Sequence, residues 1–126
     1  MSDQTSLDFF VSHDMNEAER AVWQVIRNHV GARDPIKCEA LAELTGIGTR
    51  AVQRAIHALI HEHGKPIGSR MAEPFGYYHA TTAAEREEVA KLHRDRAIAM
   101  LTTASKIVGV TRREYVARHQ TEIEAA

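Results

Sequence analysis

The 126-residue chain lacks the features that mark secreted or membrane-bound proteins. It contains one cysteine, Cys38, which cannot form an internal disulfide, so nothing indicates a cross-linked extracellular scaffold. No apolar run reaches the ~18 residues that a membrane-spanning helix needs. The first 19 residues contain no lysine or arginine, so they lack the basic start of a secretory signal peptide. These absences predict a cytoplasmic protein with one modest core.

The sequence also lacks the motifs of common enzyme classes. It has no glycine-rich phosphate loop and no G-x-S-x-G element. The acidic residues Glu85, Glu87 and Glu88 come at the start of a predicted helix, where carboxylates balance the helix dipole. A core of this size leaves little room for a catalytic pocket. We therefore predict no catalytic residues and no cofactor.

Histidine spacing offers a metal site as an alternative. His57 and His61 are four residues apart in a predicted helix, which places them on one face, as two zinc ligands would be. His63 and Cys38 are further donors. Structural zinc sites usually bring several cysteines, and no second histidine pair or carboxylate stands at a fixed spacing. We therefore predict that no metal is bound. The alternative hypothesis, a regulator that responds to a metal or a ligand, depends on the histidines alone.

The charge of the chain is nearly balanced but unevenly distributed. The net charge is −1, whereas nucleic-acid-binding domains are often strongly basic. Residues 1–19 hold five acidic residues and no lysine or arginine, whereas residues 49–72 hold four basic residues against one acidic residue. Residues 106–118 also hold four basic residues against one acidic residue. Because a protein meets a polyanion with one face, this local charge matters more than the total.

Apolar spacing predicts two helices and a short strand at the start of the ordered chain. The first helix begins at the N-cap Asn16, with acidic residues in its first turn, and ends at Gly31. The second helix, residues 39–45, follows a short strand at Ile36 and is closed by Gly46. It is expected to bury three apolar residues, Leu41, Ala42 and Leu44.

The third predicted helix, residues 49–63, carries an apolar stripe with the spacing i, i+3, i+4, i+7, i+8. The stripe comprises Val52, Ala55, Ile56, Leu59 and Ile60. Two extended segments follow, 65–70 and 75–80, and the turn residues between them predict a hairpin. Neighbouring strand residues point to opposite faces, so we expect one of Tyr77 and Tyr78 to pack on the core and the other to be half exposed.

The order helix, short strand, helix, tight turn, helix and hairpin is the layout of a winged helix-turn-helix. In this layout the helix after the turn enters the major groove, so its exposed face must reach bases and phosphates. Gln53 can pair with adenine, and Arg50 or Arg54 can pair with guanine or hold a phosphate. The predicted DNA contacts are Thr49, Arg50, Gln53, Arg54 and His57 in the major groove, and Lys65, Ser69 and Arg70 on the backbone.

The stretch IKCEALAELTGIGTRAVQRAIHALIHEHGKPIGSRMAEPFGYYHATT resembles the winged helix-turn-helix superfamily. Within it, PIGS…GYYHATT is similar to the wing of small phage and prophage DNA-binding proteins. The resemblance covers residues 16–84 and implies an α+β, mainly helical fold that binds duplex DNA in transcription or replication control. Gly48 stands where the family usually has serine or threonine as N-cap of the recognition helix. Some members use the module for protein contacts, so an interaction module without DNA binding is the alternative.

The predicted organisation has three parts: a flexible acidic segment 1–15, the winged domain 16–82 and a helical extension 83–126. The extension starts with a capping box of Thr82 and Glu85. Its long helix, which runs to about residue 108, carries apolar residues that do not form one stripe. One side therefore lacks a partner, and we predict a homodimer through this helix. The alternative is that the tail, residues 112–124, folds back over it.

The N-terminal segment contains a second short resemblance. Residues 6–10, SLDFF, resemble the bacterial peptide that binds sliding clamps. The clamp-binding residues would be Leu7, Asp8, Phe9 and Phe10, with Phe9 in place of a leucine. A sliding clamp is therefore a predicted partner, and packing of the phenylalanines on the chain's own domain is the alternative.

Overall fold

The structure, a computed structural model, describes residues 15–125. It is mainly helical with a small two-stranded antiparallel sheet, which confirms the predicted α+β class with mostly helix. The elements are α1 (Glu17–Ile26), α2 (Cys38–Thr45), α3 (Thr49–His61), β1 (Ile67–Arg70), β2 (Gly76–His79), α4 (Ala83–Ile107), α5 (Arg112–Arg118) and α6 (Gln120–Ala125). The chain divides into two compact units, with the boundary between Val89 and Ala90.

Helix α1 begins where the sequence predicts. The Asn16 side chain accepts a hydrogen bond from the Glu19 backbone N–H at 2.8 Å, and the Glu19 carboxylate accepts one from the Asn16 N–H at 3.0 Å. This reciprocal pair satisfies N–H groups that the first helical turn leaves unpaired. The predicted end at Gly31 is wrong, because the helix stops at Ile26 and the backbone of residues 29–31 bonds to the hairpin instead.

Helices α2 and α3 are joined by a tight turn at Gly46, whose φ of 77° lies in the left-handed region that favours glycine. In α2, Leu41 is fully buried and Ala42 is half-buried, but Leu44 is 67% exposed, so its predicted burial is wrong. The next inward position is four residues after Leu41, at the half-buried Thr45, whose hydroxyl donates to the Leu41 carbonyl at 2.6 Å. A helix of two turns therefore presents only a narrow face to the core.

The core lies where the apolar stripe of α3 packs against α1 and α2, and the predicted stripe is confirmed except that Ile60 is half-buried. The apolar core residues of these helices, of the loop after α1 and of the hairpin are Val22, Ile26, Ile36, Leu41, Val52, Ala55, Ile56, Leu59 and Ile67. Met15 joins them at 7% exposure, although the sequence places it in the N-terminal segment. Helix α3 ends at His61 rather than His63, because the His63 N–H bonds to the Ala58 carbonyl and closes a wide turn.

Strands β1 and β2 form the predicted hairpin, with Gly68 opposite Tyr78 and Ser69 opposite Tyr77. A Cβ atom at position 68 would lie 2.2 Å from the Tyr78 ring, so glycine lets that ring cross the hairpin. Tyr78 is buried and Tyr77 is half-buried against the core, so neither ring is fully exposed. On its other edge, β2 exchanges two 2.8 Å backbone hydrogen bonds between Tyr77 and Ile36, which is the predicted short extended residue.

The start of α4 is capped differently from the prediction. The Thr82 hydroxyl accepts the Glu85 backbone N–H at 3.1 Å, as a capping box requires. The Glu85 carboxylate, however, accepts N–H groups from Thr81 at 3.3 Å and from Ala32 at 3.1 Å rather than from Thr82. This carboxylate therefore joins the loop after α1 to the start of α4.

The second unit, from Ala90 onward, buries very little. Ser105 is the only buried residue in its described part, at 2% exposure. Large apolar side chains with more than half of their surface exposed are Met100, Ile107 and Val108. Tyr115 and Val116 of the tail are half-buried. Within residues 15–125, the structure contains no helix with both the length and the apolarity to cross a membrane.

Candidate nucleic-acid interface

Helix α3 presents a polar face on the side opposite its apolar stripe. The residues predicted to enter the major groove, Thr49, Arg50, Gln53, Arg54 and His57, are all exposed. The 13 residues of the helix include no aspartate or glutamate. Gly48 precedes the helix in an extended conformation and provides no side-chain cap. The exposed face of α3 is therefore positive in charge.

Three polar side chains of this face have no bonding partner among residues 15–125. The side chains of Arg50, Gln53 and Arg54 make no hydrogen bond or ion pair with any other residue of this range. The two arginines are four residues apart, so their side chains are neighbours on one face of the helix. A guanidinium group can donate to a phosphate or to guanine, and an amide can donate and accept at adenine.

The two exposed histidines of α3 stand side by side. The ring centroids of His57 and His61 are 4.2 Å apart. Cys38, another donor named from the sequence, begins α2, and its thiol donates to the Thr49 carbonyl at 3.7 Å. In the described part of the chain, no group of three or more histidine, cysteine, aspartate or glutamate residues is placed to hold a metal ion.

A buried pair that the sequence analysis missed joins α1 to the end of α3. His63 Nε2 lies 3.0 Å from Glu19 Oε1, and both residues are buried. The other oxygen of this carboxylate accepts from the Asn16 side-chain amide at 3.1 Å. The His63 side chain therefore helps to hold α1 against the end of α3. The sequence indicates Glu19 only as an acidic residue of the first helical turn, because its partner His63 is 44 residues away along the chain.

Lys65, predicted as a backbone contact, is half-buried at the base of the hairpin. Its ammonium nitrogen lies 5.3 Å from the centroid of the Trp23 ring. A cation over an indole face is attracted by the ring quadrupole. Trp23 also meets His79 edge to face, with ring centroids 4.9 Å apart. Trp23 is half-buried and packs on the core, so its ring lies between the core and this cation.

Arg70 and Ser69 lie at the end of β1, next to the hairpin tip. The Arg70 Nε group donates to the Ala72 carbonyl at 3.1 Å, and its Nη2 group donates to the Glu73 carbonyl at 2.8 Å. These bonds occupy two of the five N–H donors of the guanidinium. Ser69 is exposed, with its hydroxyl 3.9 Å from the Met71 sulfur. Arg70 therefore shapes the tip and retains three donors for another partner.

A groove of about 330 Å³ separates the start of α2 from the hairpin. Lys37 and Arg70 bring positive charge to its lining, and Glu39 brings negative charge. Burial raises the pKa of the Cys38 thiol, and the charge of Glu39 raises it further. Burial likewise raises the pKa of the Tyr77 phenol, with smaller contributions from Cys38 and Glu39. The Cys38 thiol and the Tyr77 phenol therefore stay neutral near pH 7. The charged groups that line the groove are then the cations Lys37 and Arg70 and the carboxylate of Glu39.

The hairpin face opposite the core has its own perturbed phenol. Burial raises the pKa of Tyr78, and the negative charges of Glu85 and Glu88 raise it further, while Arg70 lowers it. Tyr78 therefore remains a neutral group that can donate a hydrogen bond.

Two predictions concern residues 1–14, which lie outside the described residues. They are the flexibility of the N-terminal segment and the clamp-binding residues Leu7, Asp8, Phe9 and Phe10.

Comparison of the chain with protein-family models, with curated proteins and with solved structures finds no match in any of the three. The functional interpretation therefore depends on the residues of the site.

Proposed function

We propose that residues 16–82 form a winged helix-turn-helix domain that binds duplex DNA, with α3 in the major groove and the hairpin, residues 65–80, along the backbone. The observation that carries the proposal is the exposed face of α3, where Arg50, Gln53 and Arg54 have no partner among the described residues. The order of elements supports it, because a turn between two packed helices precedes a two-stranded hairpin. Control of transcription or replication, as in small phage and prophage proteins, is the role that the resemblance implies.

The dimensions of α3 suit a major groove. Its 13 residues span about 20 Å, and the groove is about 12 Å wide. In this arrangement Gln53 reads adenine, and Arg50 and Arg54 bond to guanine or to phosphates. Thr49 begins the face, and His57 lies two turns further along it. Base contacts then specify the sequence, and phosphate contacts position the domain.

The hairpin supplies contacts that do not depend on sequence. Lys65 offers a charge at its base, beside Trp23, and Arg70 offers the three donors that the tip does not use. Ser69 is exposed between them on β1. These groups bind phosphate oxygens, which strengthens binding to every sequence equally.

Fluorescence anisotropy of a labelled random-sequence duplex, titrated at several salt concentrations, tests the proposal. We expect affinity to fall steeply with salt, because bound lysine and arginine release counterions from DNA. The double variant Arg50→Ala/Arg54→Ala should lose most of this affinity. The matched variant Arg96→Ala/Arg113→Ala removes the same charge from exposed positions elsewhere and should bind nearly normally. No binding at low salt, or equal losses in both variants, would leave an interaction module as the better account.

Two further variants separate base reading from backbone contact. Gln53→Ala should cost ~1–3 kcal/mol at one base position, measured as a change in sequence preference. Arg70→Ala should weaken binding to all sequences alike and reduce the salt slope by about one unit. An unchanged sequence preference in Gln53→Ala would contradict the proposed role of that residue.

A second copy of the chain is the partner proposed for the helical extension, residues 83–126. The exposed apolar side chains of Met100, Ile107 and Val108 favour it, because covering them removes apolar surface from water. Two paired copies would present two α3 helices to a palindromic site. Sedimentation velocity is expected to detect a dimer that Met100→Ser/Ile107→Ser dissociates. A monomer at the highest soluble concentration would contradict this proposal.

A further inference from the structure

A shallow groove lies between the start of α1 and the flank of α3, beside the proposed DNA-binding face. It has a volume of about 330 Å³ and is lined by Asn16, Ala18, Glu19, Ala51, Arg54 and Ala55. Arg54 belongs both to this groove and to the exposed face of α3. The described chain enters at Met15, which is buried and whose carbonyl accepts a hydrogen bond from the Arg20 guanidinium. The preceding residues therefore join the domain next to Arg54.

Residues 1–14 are complementary in charge to this face. Their charged residues are Asp3, Asp8 and Asp14, and they include no lysine or arginine. Helix α3 contains Arg50 and Arg54 and no acidic residue. Opposite charges attract over about 8–10 Å at physiological salt, and Asp14 is covalently next to the anchored Met15.

The same segment is long enough to cover the face. Fourteen extended residues reach about 46–50 Å, whereas α3 is about 20 Å long. Its apolar residues are Leu7, Phe9, Phe10 and Val11. The groove offers them the small apolar side chains of Ala51 and Ala55. Charge, length and apolar content therefore all fit this groove and the adjoining arginines.

We propose that residues 1–14 bind back onto the arginine face of α3 and compete with DNA for it. Asp14 and Asp8 pair with Arg54 and Arg50, and the apolar residues between them cover the groove. The docking rests on the groove and the charges, whereas the competition rests also on the proposed function. Tethering gives an effective concentration near 1 mM, so an intrinsic dissociation constant of ~0.1 mM keeps the face about 90% covered. That coverage weakens the apparent DNA affinity about tenfold.

A spin label tests the docking in the full chain without DNA. The label is attached at Ser6→Cys in a chain whose native thiol is removed by Cys38→Ser. We expect the amide signals of residues 50–57 to broaden. The same label in a chain with Asp3→Asn, Asp8→Asn and Asp14→Asn should leave these signals sharp. Sharp signals in both chains, equal broadening in both, or broadening confined to another surface would overturn the proposal.

Duplex anisotropy then tests the competition. The triple asparagine variant is expected to bind about threefold to tenfold more tightly than the native chain. A matched variant, Glu87→Gln/Glu88→Gln/Glu124→Gln, changes the net charge equally at exposed positions and should gain less than about twofold. Equal gains in the two variants would overturn the competition. No duplex binding by any of the three chains would overturn the proposed function and the competition with it, whereas the spin label would still decide the docking.

Discussion

Helices α3 and α4 are both regular, but they differ in how many of their residues are buried. Five of the 13 residues of α3 are buried, namely Val52, Ala55, Ile56, Ala58 and Leu59. The 25 residues of α4 bury only Ser105. The reason is the spacing of apolar residues, which recur every three or four positions in α3 but are scattered around α4.

This difference determines which functional assignments each helix supports. The buried stripe of α3 fixes the orientation of the helix, so the opposite face can be named residue by residue. That face holds Arg50, Gln53 and Arg54, and it is the basis of the proposed DNA contact. Helix α4 has no such stripe, so its sequence indicates exposed apolar surface without indicating which side a partner covers.

Truncation of one apolar residue in each helix should give the largest contrast. Leu59→Ala removes a fully buried side chain of α3 and is expected to cost about 2–5 kcal/mol of unfolding free energy. Met100→Ala removes a side chain of α4 that is 73% exposed and should change this free energy by less than ~0.5 kcal/mol. Urea unfolding followed by Trp23 fluorescence, at concentrations below self-association, measures both. Similar losses in the two variants would contradict the exposed position of Met100.

Removal of the buried histidine should have the next largest effect. His63→Ala leaves the Glu19 carboxylate buried without its imidazole partner, which is expected to cost about 1–3 kcal/mol. His57→Ala, at an exposed position of α3, is the control and should cost less than ~0.5 kcal/mol. The same urea titration measures both variants. Equal stability of His63→Ala and the native chain would contradict a structural role for the pair.

The smallest expected effect concerns how the two helices begin. Helix α4 has a side-chain cap from Thr82, whereas α3 begins after Gly48, which has none. Gly48→Ser should stabilise the chain by a few tenths of a kcal/mol, because the extended backbone suits a serine cap and no atom lies within 4 Å of the added Cβ. Thr82→Ala should destabilise it by about 0.5–2 kcal/mol. Thermal unfolding measures the direction of both stability changes. A loss of stability in Gly48→Ser would contradict the open space around position 48.

Elements that depend on neighbouring residues were predicted well. Asn16 caps α1 as predicted, and Gly46 adopts the left-handed turn that closes α2. The stripe of α3 follows the helical period, and the hairpin follows its turn residues. Capping, turns and amphipathic spacing act over three to eight residues, so the sequence of a short window contains the needed information.

Features that depend on distant residues were predicted poorly. The predicted burial of Leu44 failed because the core side of that short helix holds Cys38, Leu41 and Ala42, and Leu44 lies off that side. The predicted end of α1 at Gly31 failed because β2 takes up the backbone of residues 29–31. In the candidate site, the contact of the Lys65 ammonium with the Trp23 ring was likewise missed. The burial of Leu44, the end of α1 and this contact are all set by packing between separate elements.

The sequence alone determined which residues α3 presents on its polar face, because a period of 3.6 residues and one apolar stripe fix both sides of a helix. The tertiary structure decided which of the predicted contacts remain available. The side chains of Arg50, Gln53 and Arg54 make no bonds to other described residues, whereas Lys65 and Arg70 share their charges with Trp23 and with the hairpin tip. The physical reason is that a side chain bonds to groups that lie near it in space, and the folded path of the backbone, rather than the helical period, decides which groups those are.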